Sequence, residues 1–316
     1  MKKLSSISWL AVVTFAAFSL AAPRAQSAAP PADPNQAWRD NLSTWRASRA
    51  EEISAPNGWL SLVALSWLTP GVNSVGSAEG AKIHLAPPAP QQLGLITVSG
   101  HIVQLLAPAG GFPAGLTLDG GRAREGAIRV DDYHPTVITL GSLQIVVLER
   151  GGRYAVRVKD SASSARATFH GLNWFPADPR WVVTARWTPS NPPQTLHIPT
   201  VIGTSLAMPA PGVAEFTLEG ETYRLTPVLE DPSGKTLFFI LRDATSKTTT
   251  YGAGRFLHTQ IPSHGLSKPG ELLMDFNRLE NPPCAYTSWA TCPLPPEQNR
   301  LPVAIEAGEQ RYGGHI

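Results

Sequence analysis

Residues able to do chemistry crowd into one stretch, Thr249 to Glu309. Tyr251, Arg255 and His258 stand in TYGAGRFLH, and Asp275, Asn277 and Arg278 in MDFNRLENPPC. Cys284, Cys292, Asn299 and Glu309 follow in sequence with no helical period. Irregular polar sequence is costly to order and is often held for a site. A guanidinium such as Arg255 can clamp a carboxylate or phosphate with its planar fork. It could equally pin this segment to the DFNR segment through an Arg–Asp pair. Gly252 and Gly254 let the backbone approach a ligand or another strand closely. The GAG triplet is a weak phosphate signal, because no helix pattern follows it.

Two roles are open for these side chains. As a binding site, Arg255 and Arg278 would fix an anionic group, Asp275 and Asn277 would bond hydroxyls, and Asn299 is a further ligand-binding candidate. Tyr251 or Trp289 would then stack on the ligand. As a hydrolytic site, Asp275 or Glu309 would act as general base on water, with His258 a third candidate and Arg255 stabilising an oxyanion. Against both stands a brace, with Asp275 accepting backbone N–H bonds, Asn277 closing an Asx-turn and Arg278 pairing with Asp275.

Cys284 and Cys292 are the only cysteines in the chain, eight positions apart across turn-forming sequence. One disulfide is the simplest expectation for an exported protein. A nucleophilic thiol served by His258 or His264 is the alternative. HTQIPSH fits no common ligand spacing, so neither metal nor cofactor is expected. There is no G-x-S-x-G, H-E-x-x-H, Walker loop or C-x-x-C, although triads are recognised by geometry rather than motif. His170, Trp174 and Asp243 read as structural.

The elements that must position these groups are mostly strands. One helix is expected over Asn35–Ile53, with Trp38, Leu42 and Trp45 on one face and Arg39, Asp40, Arg46 and Arg49 largely off it. Gly58–Leu68 is a short apolar run of core type. Strands are expected at Val72–Val75, Lys82–Leu85, Leu95–Ser99, Ile102–Leu106, Leu116–Leu118, Ala127–Val130 and Thr136–Leu140. A hairpin over Ser142–Lys159 turns at Gly151-Gly152, which supplies the positive φ a tight turn needs. A connection over 161–180 leads to Trp181–Trp187, a hairpin turning at Glu219-Gly220, Thr236–Asp243, a strand ending near Asp275, and Leu301–Ile305. The fold class is mainly β: the helix, then two sandwich-like or partly closed barrel-like units. The units are helix plus sandwich over 35–160 and a second β unit over 161–316. In the first, LTPGVNSVGSAEGAKIHLA followed later by ITLGSLQIVVLE resembles, in shape only, the strand rhythm of a forkhead-associated domain. Ser77 stands where that fold usually has its ligand-binding Arg, and no Ser-x-x-His follows, so a phosphopeptide reader is disfavoured.

Residues 1–27 read as a signal peptide: Lys2 and Lys3, an apolar run from Trp9 to Ala22, and small residues at Ala25 and Ser27. A Pro/Ala linker over 28–34 follows. Cleavage would remove three basic residues and no acid, leaving 23 basic against 24 acidic, a net charge of −1. No basic stripe with interleaved aromatics is present, so nucleic acid is not expected as a partner. The expected product is periplasmic or secreted, without stable membrane insertion after cleavage. A protein partner is not legible, and a small molecule is the expected ligand.

The chain resembles the uncharacterised family named domain of unknown function 1684. The resemblance runs from WRASRAEEISAPNGWLSLVALSWLTPG onward and is sharpest in TYGAGRFL, in DFNRLENPPCAYTSWATCPLPPEQNRL and in the final AGE. It implies that Arg255, Asp275, Asn277, Arg278, Cys284, Cys292, Asn299 and Glu309 belong to a shared signature, without saying whether they bind or brace. Three functional readings follow: an envelope binding or accessory protein for a small polar or carbohydrate ligand, a hydrolase, or a structural or interaction protein of the envelope.

Overall fold

The computed structural model describes residues 33–131, 133–230 and 233–313. The expected signal peptide and most of the linker lie outside the described residues. Among the described residues the one long helix, α1 (Gln36–Ser54), is followed by seventeen strands. The first eleven are β1 (Leu62–Trp67), β2 (Gly71–Gly76), β3 (Ile83–His84), β4 (Gly94–Ser99), β5 (Ile102–Leu106), β6 (Thr117–Leu118), β7 (Gly121–Arg122), β8 (Gly126–Ala127), β9 (Ile138–Leu140), β10 (Leu143–Arg150) and β11 (Arg153–Asp160). They form two sheets, ordered β1-β11-β10-β9-β6-β7 and β3-β2-β4-β5-β8. The sheets share one core in which Val75, Ile96 and Leu105 meet Ile145, Val147 and Val156, so the first unit is a sandwich. Gly151 and Gly152 turn the β10–β11 hairpin at φ 60° and 74°, as its sequence requires.

The second unit contains β12 (Val182–Pro199), β13 (Ser205–Leu218), β14 (Glu221–Leu225), β15 (Thr236–Leu241), β16 (Arg255–Gln260) and β17 (Gly270–Asp275). A four-stranded sheet runs β14-β13-β12-β17, and β15 pairs with β16 as a ribbon. The ribbon lies between two apolar clusters. Leu237, Phe239 and Leu241 face Trp187, Phe216 and Met274, whereas Phe238, Ile240 and Phe256 face Ile198, Ala210 and the two cysteines. Burial on both faces explains why β15 reads as a continuous apolar run, TLFFIL, rather than an alternating one. None of the sheets closes into a barrel.

Two expectations are corrected here. Leu301–Ile305 is not a strand. Pro302 cannot donate to a ladder, and the Ile305 backbone bonds side chains instead. Its N–H donates to Asp243 Oδ1 and its carbonyl accepts from Arg255. Arg46 and Arg49 are also not off the apolar stripe of α1. Arg49 follows Leu42 by seven residues, two full turns, and is buried with it. The helix, grouped by sequence with the first unit, packs against the second. Trp45 meets Trp174 edge-on at 5.5 Å, and Arg39 and Arg46 donate to the carbonyls of Ala177 and Phe175.

Candidate functional site

The TYGAGRFL segment enters β16 under a buried ion pair. Arg255 and Asp243 meet at 2.8 Å with side chains 1% and 2% exposed. Asp243 caps a short turn, accepting from the Thr245 N–H and hydroxyl and from the Ile305 N–H. Arg255 donates to the carbonyls of Ile305, at 2.9 Å, and of Ala307 and Glu309. Only its Nε lacks a partner. Burial pulls the Arg255 pKa below its ordinary value, with Asp243 pulling the other way. The partner that sequence suggested for Arg255, an aspartate of the DFNR segment, is thus replaced by Asp243. Gly254, at φ 107°, admits the Leu241 carbonyl to within 2.5 Å of where a Cβ would stand, so the close approach here is backbone to backbone.

The DFNR segment closes the end of β17. Asp275 Oδ1 accepts from the backbone and side-chain N–H groups of Asn277 at 3.0 and 2.9 Å. Its Oδ2 accepts from Trp38 Nε1 at 2.9 Å and lies 3.5 Å from Arg278 Nε. Asn277, fully buried, also bonds both backbone groups of Asp178. Arg278 reaches up to α1, donating to Asn41 and lying 5.2 Å from the Trp45 ring. Asn299 clamps three backbone groups: it accepts from the Thr226 N–H and donates to the carbonyls of Thr226 and Ile240.

Glu309 is buried at 1% exposure and accepts from the Asn281 N–H, the Asn281 side-chain amide and the Tyr286 hydroxyl. Burial pushes its pKa up to about 7 against the opposing pull of Arg49 and the Tyr286 bond. Arg49 of α1 donates to the Asn281 carbonyl and lies 3.3 Å from Glu280. Glu280 lies 3.6 Å from His258, whose other nitrogen is 3.3 Å from Glu230. Burial opposes the imidazolium, but the two carboxylates outweigh it and push the His258 pKa up to about 9. The ring stacks on Phe238 at 4.7 Å.

Tyr251 donates to the Cys284 carbonyl at 2.9 Å, and burial, followed by Cys284, raises its pKa. The two cysteines are adjacent as expected, but they are free thiols, and the expected disulfide is corrected on that point. The Cys284 N–H donates to Cys292 Sγ at 3.1 Å, and both side chains pack as small apolar groups beside Phe238 and Phe256. The contact with the Cys292 thiol lowers the Cys284 pKa, while the same contact and burial raise that of Cys292. Trp289 is exposed at 41%, and His264 bonds the Pro269 carbonyl of its own loop. No group of three metal-ligating side chains is present among the described residues.

The structure therefore brings Arg255, Asp275, Asn277, Arg278, Asn299 and Glu309 into one region of the second unit and engages each with protein partners. Reading the sequence alone missed Asn281, Tyr286 and Arg49. Asn281 stands in RLENPP beside the expected set, but its partner Glu309 is 28 residues away and Arg49 is 232. No local pattern marks either contact.

These features define a mainly β protein whose C-terminal segment is folded in on itself and capped by an N-terminal helix. Residues 167–310 match the family model described as "Protein of unknown function (DUF1684)", and the chain belongs to that family. The matched stretch contains the whole of 249–309 and leaves out α1 and the first sandwich. No curated protein matches the chain. A solved structure similar to it is the solution NMR structure of an uncharacterized protein of Haloarcula marismortui. That protein is 33% identical over 48% of this chain and 81% of its own, with a TM-score of 0.41.

Proposed function

We propose that this chain is an exported, non-catalytic binding or accessory protein of the cell envelope that takes a small polar ligand, and that its signature segment is the brace holding the fold. One observation carries the brace: Arg255, Asn277, Asn299 and Glu309 are each at most 1% exposed and hydrogen-bonded internally. A ligand-binding or catalytic side chain needs acceptor or donor capacity facing the ligand. Asp275, the first candidate base, already accepts three hydrogen bonds. The binding part of the reading is supported by a cavity of about 380 Å³ on the first unit, whose walls include Asn57, Gln144 and Lys159.

The hydrolase reading keeps one supporting observation, the Glu309 carboxyl with its pKa near neutrality, a range suited to a general base. Its oxygens, however, face Asn281 and Tyr286. Thermal melting of Arg255→Met, Asn277→Ala and Asn299→Ala, with calorimetric titration against sugars and organic acids, tests the proposal. Each variant is expected to melt early, and any ligand of the wild type to keep its affinity while the variant is folded. Unchanged melting with lost binding would reverse the reading.

A further inference from the structure

The four-stranded sheet of the second unit forks at one end. β12 and β13 pair from Arg186–Glu215 to Pro199–Ser205. Before Arg186, β12 pairs only with β17, and after Glu215, β13 pairs only with β14. The two arms, 182–185 and 216–218, enclose a cavity of about 410 Å³. Thr184, Thr217 and Thr222 stand in its walls, with Arg186 and Glu215 where the arms join. A space of that size admits a small organic molecule.

The register identifies the backbone groups that face the opening. β13 and β14 are joined by a two-residue turn, Glu219-Gly220, at φ 53° and 86°. The closing pair of such a turn, Leu218 and Glu221, exchanges both of its backbone bonds. Alternation then aims the backbone groups of Leu218 and Phe216 at β14, and those of Thr217 and Glu215 at β12. Arg186, paired with Glu215, faces β13, and so does Thr184 two residues before it. Thr184 and Thr217 are thus a missing rung. Each presents one N–H and one C=O to the fork without a ladder partner. Backbone groups of this kind are obligatory hydrogen-bonding groups, and an open strand edge is a template for another chain.

The walls select a neutral ligand with both donors and acceptors. Glu215 accepts from Arg186 at 2.5 Å and from Arg224 at 2.7 Å, and Glu271 stands opposite Arg186 on β17. Two cations thus meet two carboxylates. The hydroxyls of Thr184, Thr217 and Thr222 are exposed and make no hydrogen bond among the described residues. The one aromatic wall residue, Phe216, is 2% exposed and packs in the core, so no ring is offered for a sugar to stack on.

We infer that the fork binds a short extended peptide, which fills the gap between β12 and β13. Successive residues of a strand turn their backbone groups to opposite edges. One peptide residue therefore exchanges N–H and C=O bonds with Thr184 and the next with Thr217, as in strand addition to a sheet edge. Recognition runs through the backbone, so it tolerates different neutral side chains. The site is separate from the cavity on the first unit and stands or falls independently of the small-ligand reading.

Amide hydrogen exchange on the full chain, with and without millimolar acetyl-Thr-Val-Thr-Val-amide, tests the rung directly. In the free chain Thr184 and Thr217 should exchange much faster than Phe216, whose amide is bonded to β14. Saturating peptide should slow both by about tenfold or more. Acetyl-Ala-Ser-Ala-Ser-amide should do the same, and versions of either peptide with N-methylated amides should not. Thr217→Pro removes the one donor that faces the fork and leaves the bonds to β14 in place. It should weaken peptide binding about tenfold in titration calorimetry, and exchange on the wild type carries the test if that variant fails to fold. Slow exchange of Thr184 and Thr217 in the free chain would mean a closed rung and overturn the inference. Peptides that leave both amides unprotected overturn it, as do N-methylated peptides that protect them equally. Protection by neutral sugars and by neither peptide overturns it as well, and assigns the fork to a hydroxylated ligand.

Discussion

Replacing Arg255 with methionine is the sharpest perturbation of the brace. The side chain is similar in length and apolar, so packing volume is largely kept. What is lost is the countercharge of Asp243 and the donors to the carbonyls of Ile305 and Ala307. Removing one partner of a fully buried pair strands the other charge and costs about 3–5 kcal/mol. At about 2–4 °C per kcal/mol for a chain of this size, the melting temperature should fall by about 6–20 °C. Adding Asp243→Asn removes the stranded charge and leaves an oxygen for the Thr245 N–H, so the double variant should recover part of the loss. Scanning calorimetry on the two single variants and the double closes the cycle. A fall of less than about 2 °C for Arg255→Met, or strictly additive losses, would refute the claim that this pair holds the segment.

Further outcomes follow from the same contacts. His258 has its folded pKa raised from 6.5 to about 9, so its contribution is fully present below pH 6.5 and is lost as pH rises toward 9. His258→Gln should flatten the denaturant midpoint across that window, and equal slopes would contradict the pairing with Glu230 and Glu280. The folded pKa of Glu309 is raised from 4.5 to about 7, so stability should fall as pH climbs through that interval, and Glu309→Gln should remove the slope. Trp45→Ala strips the edge contact with Trp174 and the Arg278 stack. It should cost about 2 kcal/mol and expose α1 to limited proteolysis. Undiminished protease resistance would show that α1 is held by other contacts. Cys284 and Cys292, buried at 7% and 4% exposure, should resist alkylation until the protein unfolds.

Much of the fold is legible in the sequence because its signals are local. Leu143, Ile145 and Val147 alternate into Gly151-Gly152 and back through Tyr154, Val156 and Val158, and the hairpin forms in that register. Asp275 and Leu273 share the outward side of β17, as period two requires. Leu301–Ile305 misleads because its apolar character suits a core position while its backbone is satisfied by Arg255 and Asp243. Arg46 and Arg49 mislead because charge argues for solvent, whereas their partners Phe175, Asn281 and Glu280 lie 129 or more residues further along the chain. The candidate set was legible as residue types, but binding and bracing use the same types. The difference lies in long-range partners such as Asn299 to Thr226 and Ile240.

Native-state hydrogen exchange tests the bracing role most directly. The amides of Asn277, Asn281 and Glu309 bond Asp275, Glu309 and Leu279 within the segment. If the segment is the brace, these amides exchange only through global unfolding, with the same free energy as Ile240 in the central ribbon. Exchange at these three amides several orders of magnitude faster than at Ile240 would mean that the segment opens on its own, and would contradict the account.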